Sequence, residues 1–156
     1  MNHSRHTVLQ AGAGTGLYAA LVAVGLLPAG IASASEFDRA AFESKGIADT
    51  LKALGAADAT ESGEVVITSP DIAENGAVVP VGVRSSLPKT DMLALLVEKN
   101  PNALAGSYEV LDGAVPDVNM RIKMGQSSDV VAVVRADGKY YMARKEIKVT
   151  LGGCGG

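Results

Sequence analysis

The chain has 156 residues, a formal net charge of −3, no tryptophan and one cysteine. This length indicates one domain, and because aromatic residues are few, its core must be built from Val, Ile, Leu, Ala and Met. The acidic balance argues against nucleic acid as a partner.

Residues 1–34 have the features of a cleaved export signal. Arg5 has no acidic neighbour, and it precedes the short apolar stretch GLYAALVAVGLLPAGIASAS. Ala32 and Ala34 form an A-x-A site, so we expect export and cleavage after Ala34. The alternative is a membrane anchor, which Pro28 and the shortness of the apolar stretch disfavour.

Residues 35–57 are predicted to form a short helical segment. Phe42 and Leu51 belong to a set of apolar residues that recur at helical spacing in EFDRAAFESKGIADTLKALGAAD. Gly46 is expected to weaken this helix from within, and Gly55 is expected to end it.

Residues 58–151 are predicted to form the folded domain, an all-β sandwich. Short segments rich in Val, Ile and Tyr follow one another at nearly regular spacing, separated by Gly, Pro, Asn and Asp, which is typical of this architecture. The segments are GEVVITSP, GAVVPVGVRS, DMLALLVEKN, ALAGSYEVL, VNMRIKM, DVVAVVRA and KYYMARKEIKVTL. The LLVEK run in the third segment also fits a short helix.

Two positions add detail to the predicted sheets. Asp137-Gly138 lies between the last two segments and predicts a hairpin turn. Pro80 cannot donate a ladder hydrogen bond, so it indicates an edge strand or a bulge. An edge strand needs a cover, which is often a partner chain.

The sequence ends in TLGGCGG, which places the only cysteine, Cys154, between two pairs of glycines. Glycine has no Cβ and accepts almost any backbone conformation. We therefore expect a thin, flexible arm that carries an exposed thiol, able to react as its thiolate. At about 3.3 Å per residue, Cys154 reaches roughly 10 Å beyond Leu151. The arm glycines are Gly152, Gly153, Gly155 and Gly156.

The residues available for chemistry exclude several kinds of site. Both histidines, His3 and His6, lie in the predicted signal, so the exported chain lacks Cys–His and Ser–His–Asp catalysis and the usual zinc ligands. We expect no metal, and no enzyme activity in the chain itself. The basic residues in 121–148 fit a solvated strand face better than an anion site. Core packing is also preferred to copper binding for Met92, Met120, Met124 and Met142.

Other roles for the tail stay open at this point. Cys154 could be incidental, or it could form an intermolecular disulfide that links two subunits of a secreted structural β-sandwich. Gly155-Gly156 also resembles the end of a ubiquitin-like thiocarboxylate carrier, but that chemistry needs ATP in the cytoplasm, and the export signal argues against it.

Three stretches together, the terminal GGCGG, the segment SPDIAENGAVVPVGV and the helix IADTLKALGA, resemble the SoxY family. SoxY proteins are the sulfur-carrier subunits of the periplasmic thiosulfate-oxidising (Sox) system. The resemblance covers nearly the whole mature chain, and the tail is its most specific part. It implies an immunoglobulin-like antiparallel sandwich, a periplasmic location, and a covalent sulfur adduct on Cys154 with no other cofactor.

The resemblance also implies partners. SoxY proteins pair with SoxZ, a second β-sandwich subunit, and need no membrane after processing. The haem protein SoxAX couples thiosulfate to the thiol, the manganese hydrolase SoxB releases sulfate, and a molybdenum–haem sulfane dehydrogenase, where present, oxidises the remaining sulfane. SoxY precursors typically carry two arginines in their signal, whereas this chain has Arg5-His6, so the export route is open.

Overall fold

The computed structural model describes residues 39–151. The predicted signal, 1–34, and the glycine arm, 152–156, lie outside the described residues. The chain divides into two compact units, Met1–Phe37 and Asp38–Gly156, and the described residues all belong to the second.

The described part contains two short helices and nine strands. The helices are α1, Arg39–Glu43, and α2, Ile47–Ala53. The strands are β1, Thr60–Glu61; β2, Val65–Thr68; β3, Ile72–Ala73; β4, Val79–Ser85; β5, Thr90–Val97; β6, Leu104–Glu109; β7, Asp117–Ile122; β8, Ser128–Ala136; and β9, Lys139–Val149.

The strands form two sheets, which confirms the predicted β-sandwich. The larger sheet has the order β1-β9-β8-β5-β6, with β3 also paired to β9, and the smaller has the order β2-β4-β7. Pairing is antiparallel except where β1 and β3 meet β9. The seven predicted segments form β2 and β4 to β9, and LLVEK belongs to β5 up to Val97. The sequence prediction missed β1 and β3, because two residues are too few to show a periodicity.

The larger sheet is covered on both faces, which explains the continuous apolar runs of its central strands. One face packs against the smaller sheet and the other against the helices. The core between the sheets includes Leu93, Leu95 and Val97 from β5, Val130, Ala132 and Val134 from β8, and Val79, Val81 and Val83 from β4. The opposite face includes Met92, Ala94, Leu96, Val131 and Val133, which pack with Ala41 and Ala56.

The methionines belong to these two cores, as the sequence predicted. Met92 and Met124 are buried, whereas Met120 and Met142 are partly buried against the core clusters. An unbranched thioether side chain fills irregular gaps in a core that contains few aromatic residues.

The helical segment predicted in 35–57 is confirmed, but Gly46 does not lie inside one helix, because the segment is broken between α1 and α2. Gly46 has φ 75° and ψ 164° and occupies the N-cap of α2, a backbone region that is essentially restricted to glycine. Its carbonyl accepts hydrogen bonds from the Thr50 amide at 3.3 Å and the Thr50 hydroxyl at 2.8 Å. Gly46, which was expected to weaken one helix, therefore separates two helices.

The other two glycine predictions are confirmed. Gly55 follows α2 with φ 73°, and the amide of Ala56 returns to the carbonyl of Leu51 at 2.7 Å, a Schellman-type end. Asp137 and Gly138 join β8 to β9 with φ values of 50° and 73°. Two successive positive φ values are the signature of a type I′ hairpin turn.

The edge-strand prediction from Pro80 is wrong, because β4 is the central strand of the smaller sheet. β7 pairs with β4 as far as Val79, but β2 pairs only as far as Gly82. Pro80 therefore lies beyond the end of β2, where its missing N–H removes no bond to that neighbour. The position of Pro80 gives no support to a partner chain along β4.

The break between α1 and α2 predicts whether a substitution at Gly46 stabilises or destabilises the protein. If Gly46 lay inside one helix, Gly46→Ala would stabilise the protein by roughly 1 kcal/mol. In the observed conformation it should instead destabilise the protein by about 1–3 kcal/mol, measured as a lower free energy of unfolding in urea. Gly63→Ala is the matched control, because Gly63 has no positive φ and a Cβ there would meet nothing within 4 Å. Greater stability of Gly46→Ala than of the parent protein would contradict the break.

Candidate functional site

The thiol predicted to carry the function, Cys154, lies outside the described residues together with Gly152, Gly153, Gly155 and Gly156. The structure does describe the point where the chain leaves the sandwich towards them. Along the end of β9 and beyond it, Ile147 is buried, Val149 is half-buried and Leu151 is 64% exposed. The backbone therefore passes from the core to the surface within a few residues of the arm.

Residues 148–151, here called the arm base, are hydrogen-bonded along one side to residues 71–76. The bonded segment contains β3, whose two residues pair in parallel with Lys148 and Val149. The backbone bonds run from the Lys148 amide to the Asp71 carbonyl at 2.9 Å, from the Thr150 amide to the Ala73 carbonyl at 3.0 Å, and from the Gly76 amide to the Leu151 carbonyl at 2.7 Å.

Two hydroxyl groups add bonds to the arm base. Because successive amides of a strand point to opposite sides, the Val149 amide faces away from β3, and it donates to Ser127 Oγ at 2.9 Å. The same Ser127 Oγ lies 3.4 Å from the Val149 carbonyl. On the β3 side, the Thr150 hydroxyl donates to the Glu74 carbonyl at 3.0 Å. The arm base is therefore bonded on both sides.

The residues that bond the arm base are themselves linked, and we call segments 71–76 and 124–127 the collar. The Met124 amide donates to the Gly76 carbonyl at 2.7 Å, which ties one segment to the other. Asn75 Oδ1 accepts a hydrogen bond from the amide of Ala77 at 2.8 Å, which forms a local turn. The collar thus holds the arm base mainly through backbone groups, with added bonds from the hydroxyls of Ser127 and Thr150.

Sequence reasoning did not find the collar, although it singled out one part of it. The stretch SPDIAENGAVVPVGV, one of the three that carry the family resemblance, contains β3 and the beginning of β4. Its contact with the chain end joins Glu74 to Thr150 across 76 positions of sequence. Ser127 and Thr150 carried no signal, because a lone hydroxyl shows no periodicity and forms no motif.

Ion pairs occupy several of the basic side chains in 121–148, which supports the solvated strand face. Lys145 Nζ lies 3.0 Å from the Asp71 carboxylate and also donates to the Ser69 carbonyl at 2.8 Å. Arg144 Nη1 lies 3.0 Å from the carboxylate of Asp129. The first of these pairs links β9 to the collar.

Two charged groups with shifted pKa values lie at the hairpin end of β9, away from the arm base. Lys89 donates to Asp137 at 2.9 Å and lowers the pKa of that carboxyl group. Asp91 accepts a hydrogen bond from Arg135 Nε at 2.6 Å and raises the pKa of Arg135. An open cavity of about 570 Å³ lies beside these residues.

The chemistry predicted from the sequence is assigned to Cys154, which is not among the described residues, 39–151. No group of three or more metal-binding side chains occurs among them. None of the helices described is long and apolar enough to cross a membrane.

The bonds of Ser127 predict a local effect. Ser127→Ala should raise the hydrogen-exchange rate of the Val149 amide roughly fivefold, because the lost bond contributes about 1 kcal/mol to closure of the arm base. Ser62→Ala is the control, because Ser62 is also half-buried and its Oγ accepts a hydrogen bond from the Glu64 amide. That bond lies away from the arm base. Unchanged exchange at Val149 in Ser127→Ala would contradict the bonding described here.

Comparison with known proteins places the chain in a family. A model of the family described as sulfur oxidation protein SoxY matches residues 51–154, from within α2 to Cys154. The solved structure of the sulfur carrier protein SoxY from Chlorobium limicola f thiosulfatophilum is 34% identical, with a TM-score of 0.63, and the match covers 72% of this chain and 97% of that chain. No curated protein matches the chain.

Two other solved structures have only weak similarity to this chain, with low identity and low TM-scores. A chain from a structure that describes T cell specificity and activation by the bacterial superantigen toxic shock syndrome toxin-1 is 14% identical over 55% of this chain and 98% of its own, with a TM-score of 0.38. The CARDB domain of a Pyrococcus furiosus protein is 12% identical over 55% of this chain and 85% of its own, with a TM-score of 0.35. The extent of the family match and the similarity to the Chlorobium carrier lead to one conclusion: the chain belongs to the SoxY family of sulfur oxidation proteins.

Proposed function

We propose that this chain is a carrier in thiosulfate oxidation, which holds sulfur intermediates on the thiol of Cys154 and presents them to separate enzymes. Family membership establishes a role in sulfur oxidation; the covalent attachment is the step proposed here. The observation that carries it is the family match, which runs from the folded domain through the arm to Cys154.

The proposed loading step forms a disulfide bond between Cys154 and the sulfane sulfur of thiosulfate. The thiol and thiosulfate give a Cys–S–S–SO₃⁻ adduct, one proton and two electrons, and the electrons pass to a c-type haem partner such as SoxAX. Water then cleaves the bond between the sulfane sulfur and the sulfonate group in a SoxB-like hydrolase. This releases sulfate and a proton and leaves a persulfide on Cys154. A sulfane dehydrogenase, where the host has one, would oxidise that persulfide.

The described part of the chain suits a carrier that is acted upon by others. The arm base is held at the end of β9, and Leu151 is largely exposed, so the arm begins at the protein surface. From there the thiol extends by roughly 10 Å. Glycines on both sides of Cys154 leave it without bulky neighbours, which allows the thiol to enter a narrow channel in a partner enzyme.

The setting proposed for this carrier follows the family resemblance. A SoxZ-like β-sandwich subunit is the proposed partner, and the periplasm is the proposed location after residues 1–34 have been removed. No cofactor is proposed beyond the sulfur held on Cys154, and no catalysis by the chain itself. The free edges of the smaller sheet, β2 and β7, are strand surfaces that a second sandwich could cover.

Two variants distinguish the need for the thiol itself from the need for its access to the partner enzymes. Cys154→Ser should abolish thiosulfate-dependent electron transfer to the haem partner and leave the unfolding midpoint unchanged, because the residue follows the predicted folded domain, 58–151. Gly153→Leu should keep the thiol's rate with a small aromatic disulfide. It should nevertheless lower turnover by the partner enzymes roughly a hundredfold, the usual scale for a misplacement of about 1 Å.

Two results would contradict the proposal. Full thiosulfate turnover by the Cys154→Ser variant would remove the thiol from the chemistry. Alternatively, if Cys154 of the wild-type protein existed quantitatively as a reductant-sensitive link between two copies, the structural disulfide dimer would be the better account. Circular dichroism of each variant serves as the control for folding.

A further inference from the structure

We propose that Ser127 and Thr150 are positioning residues that fix the point from which the thiol arm begins and thereby set its effective length. The inference rests on the proposed function, because it assigns a purpose to the reach of Cys154. It concerns residues that the structure describes and that neither the sequence motifs nor the family comparison single out.

The two hydroxyls lie where the regular strand pairing stops. The pairing of β8 with β9 ends at Ser128 and Ile147, and the pairing of β3 ends at Ala73 and Val149. Ser127 lies immediately before β8, and its Oγ accepts a hydrogen bond from the Val149 amide. In a longer β8, a backbone carbonyl would accept that bond. Thr150, immediately after β9, uses its hydroxyl to reach the Glu74 carbonyl. Each hydroxyl therefore adds a side-chain bond to the backbone bonds that hold the arm base as far as Leu151.

The arm base is held by hydrogen bonds more than by apolar packing. Thr150 is exposed, Ser127 is half-buried, and Leu151 is 64% exposed. Of the residues that end β9, Ile147 belongs to the core and Val149 packs at its margin. Strand ends that bury little apolar surface open most easily. The bonds from Ser127 and Thr150 act where opening would otherwise begin.

Opening would change the reach of the thiol. With the arm base held, Cys154 is three residues beyond Leu151, the last bonded residue among those that the structure describes. With the arm base released, the chain is free from Ile147 onwards, and the tether more than doubles in length. The effective concentration of a tethered group falls as about the 3/2 power of tether length, so the thiol's concentration at a docked enzyme would fall roughly three- to fourfold.

A spin-label experiment tests the positioning without any partner enzyme. A nitroxide is attached to Cys154 of the full chain, and the paramagnetic broadening of backbone amides is mapped by NMR. In the Ser127→Ala/Thr150→Val double variant, broadening should spread to amides farther from the arm base, and the label's EPR lines should narrow. Thr150→Ser keeps a hydroxyl, so that control should match wild type. Identical maps for the double variant and wild type would overturn the proposal.

Shortening the arm tests its effective length, because the same deletion should change kcat/KM in opposite directions in the two backgrounds. Deletion of Gly152 should lower kcat/KM for oxidation of the carrier by its haem partner in the wild-type background, because the held arm becomes too short. The same deletion should raise kcat/KM in the double variant, because it shortens a tether that has become too long. A decrease in both backgrounds would overturn the role in arm length.

The two measurements also separate this proposal from the proposed function. If no variant accepted sulfur on Cys154, the carrier role would fail, and the spin-label map would still decide whether Ser127 and Thr150 position the arm. If sulfur loaded normally and the map did not change in the double variant, the carrier role would stand and the positioning role would be excluded. The rate of Cys154 with a small aromatic disulfide should be equal in all variants and controls for thiol reactivity.

Discussion

β9 has strand partners along both of its edges, and the position of the candidate site depends on this pairing. β8 pairs with it from Lys139 to Ile147, whereas the short strands β1 and β3 occupy parts of the other edge. Side chains of β9 also enter both cores. A slip by one residue would move every side chain of β9 to the opposite face of the sheet, so packing on both faces fixes the register. The register in turn fixes which residue is the last to be held before the arm.

The sandwich combines a well-packed core with a hydrogen-bonded end of β9. The central strands β5 and β8 are buried on both faces, which gives the sandwich a core that resists local opening. The collar carries that order outwards to Leu151 through bonds that are mostly between backbone groups. In the proposed carrier, a fixed starting point and a thin arm give several enzymes access to the same thiol without requiring the sandwich to change shape.

Much of the fold was predictable because it follows from local patterns. Alternating or continuous apolar segments predicted seven strands, and Asp137-Gly138 predicted the hairpin. The helix break at Gly46 was not predictable, because helical spacing continues across it and only its φ and ψ reveal the interruption. The place of Pro80 and the collar depend on contacts between distant parts of the chain. For the site, the composition of the tail predicted Cys154 and its glycines, but it gave no sign of Ser127 or Thr150.

The most direct test of the central claim is intact mass spectrometry of the protein isolated from thiosulfate-grown cells of its host, with and without reductant. The account predicts reductant-removable additions on Cys154 whose masses match sulfane, thiosulfate or sulfonate groups. A bare thiol alone, or only a disulfide between two protein chains, would contradict the carrier role and favour the structural dimer.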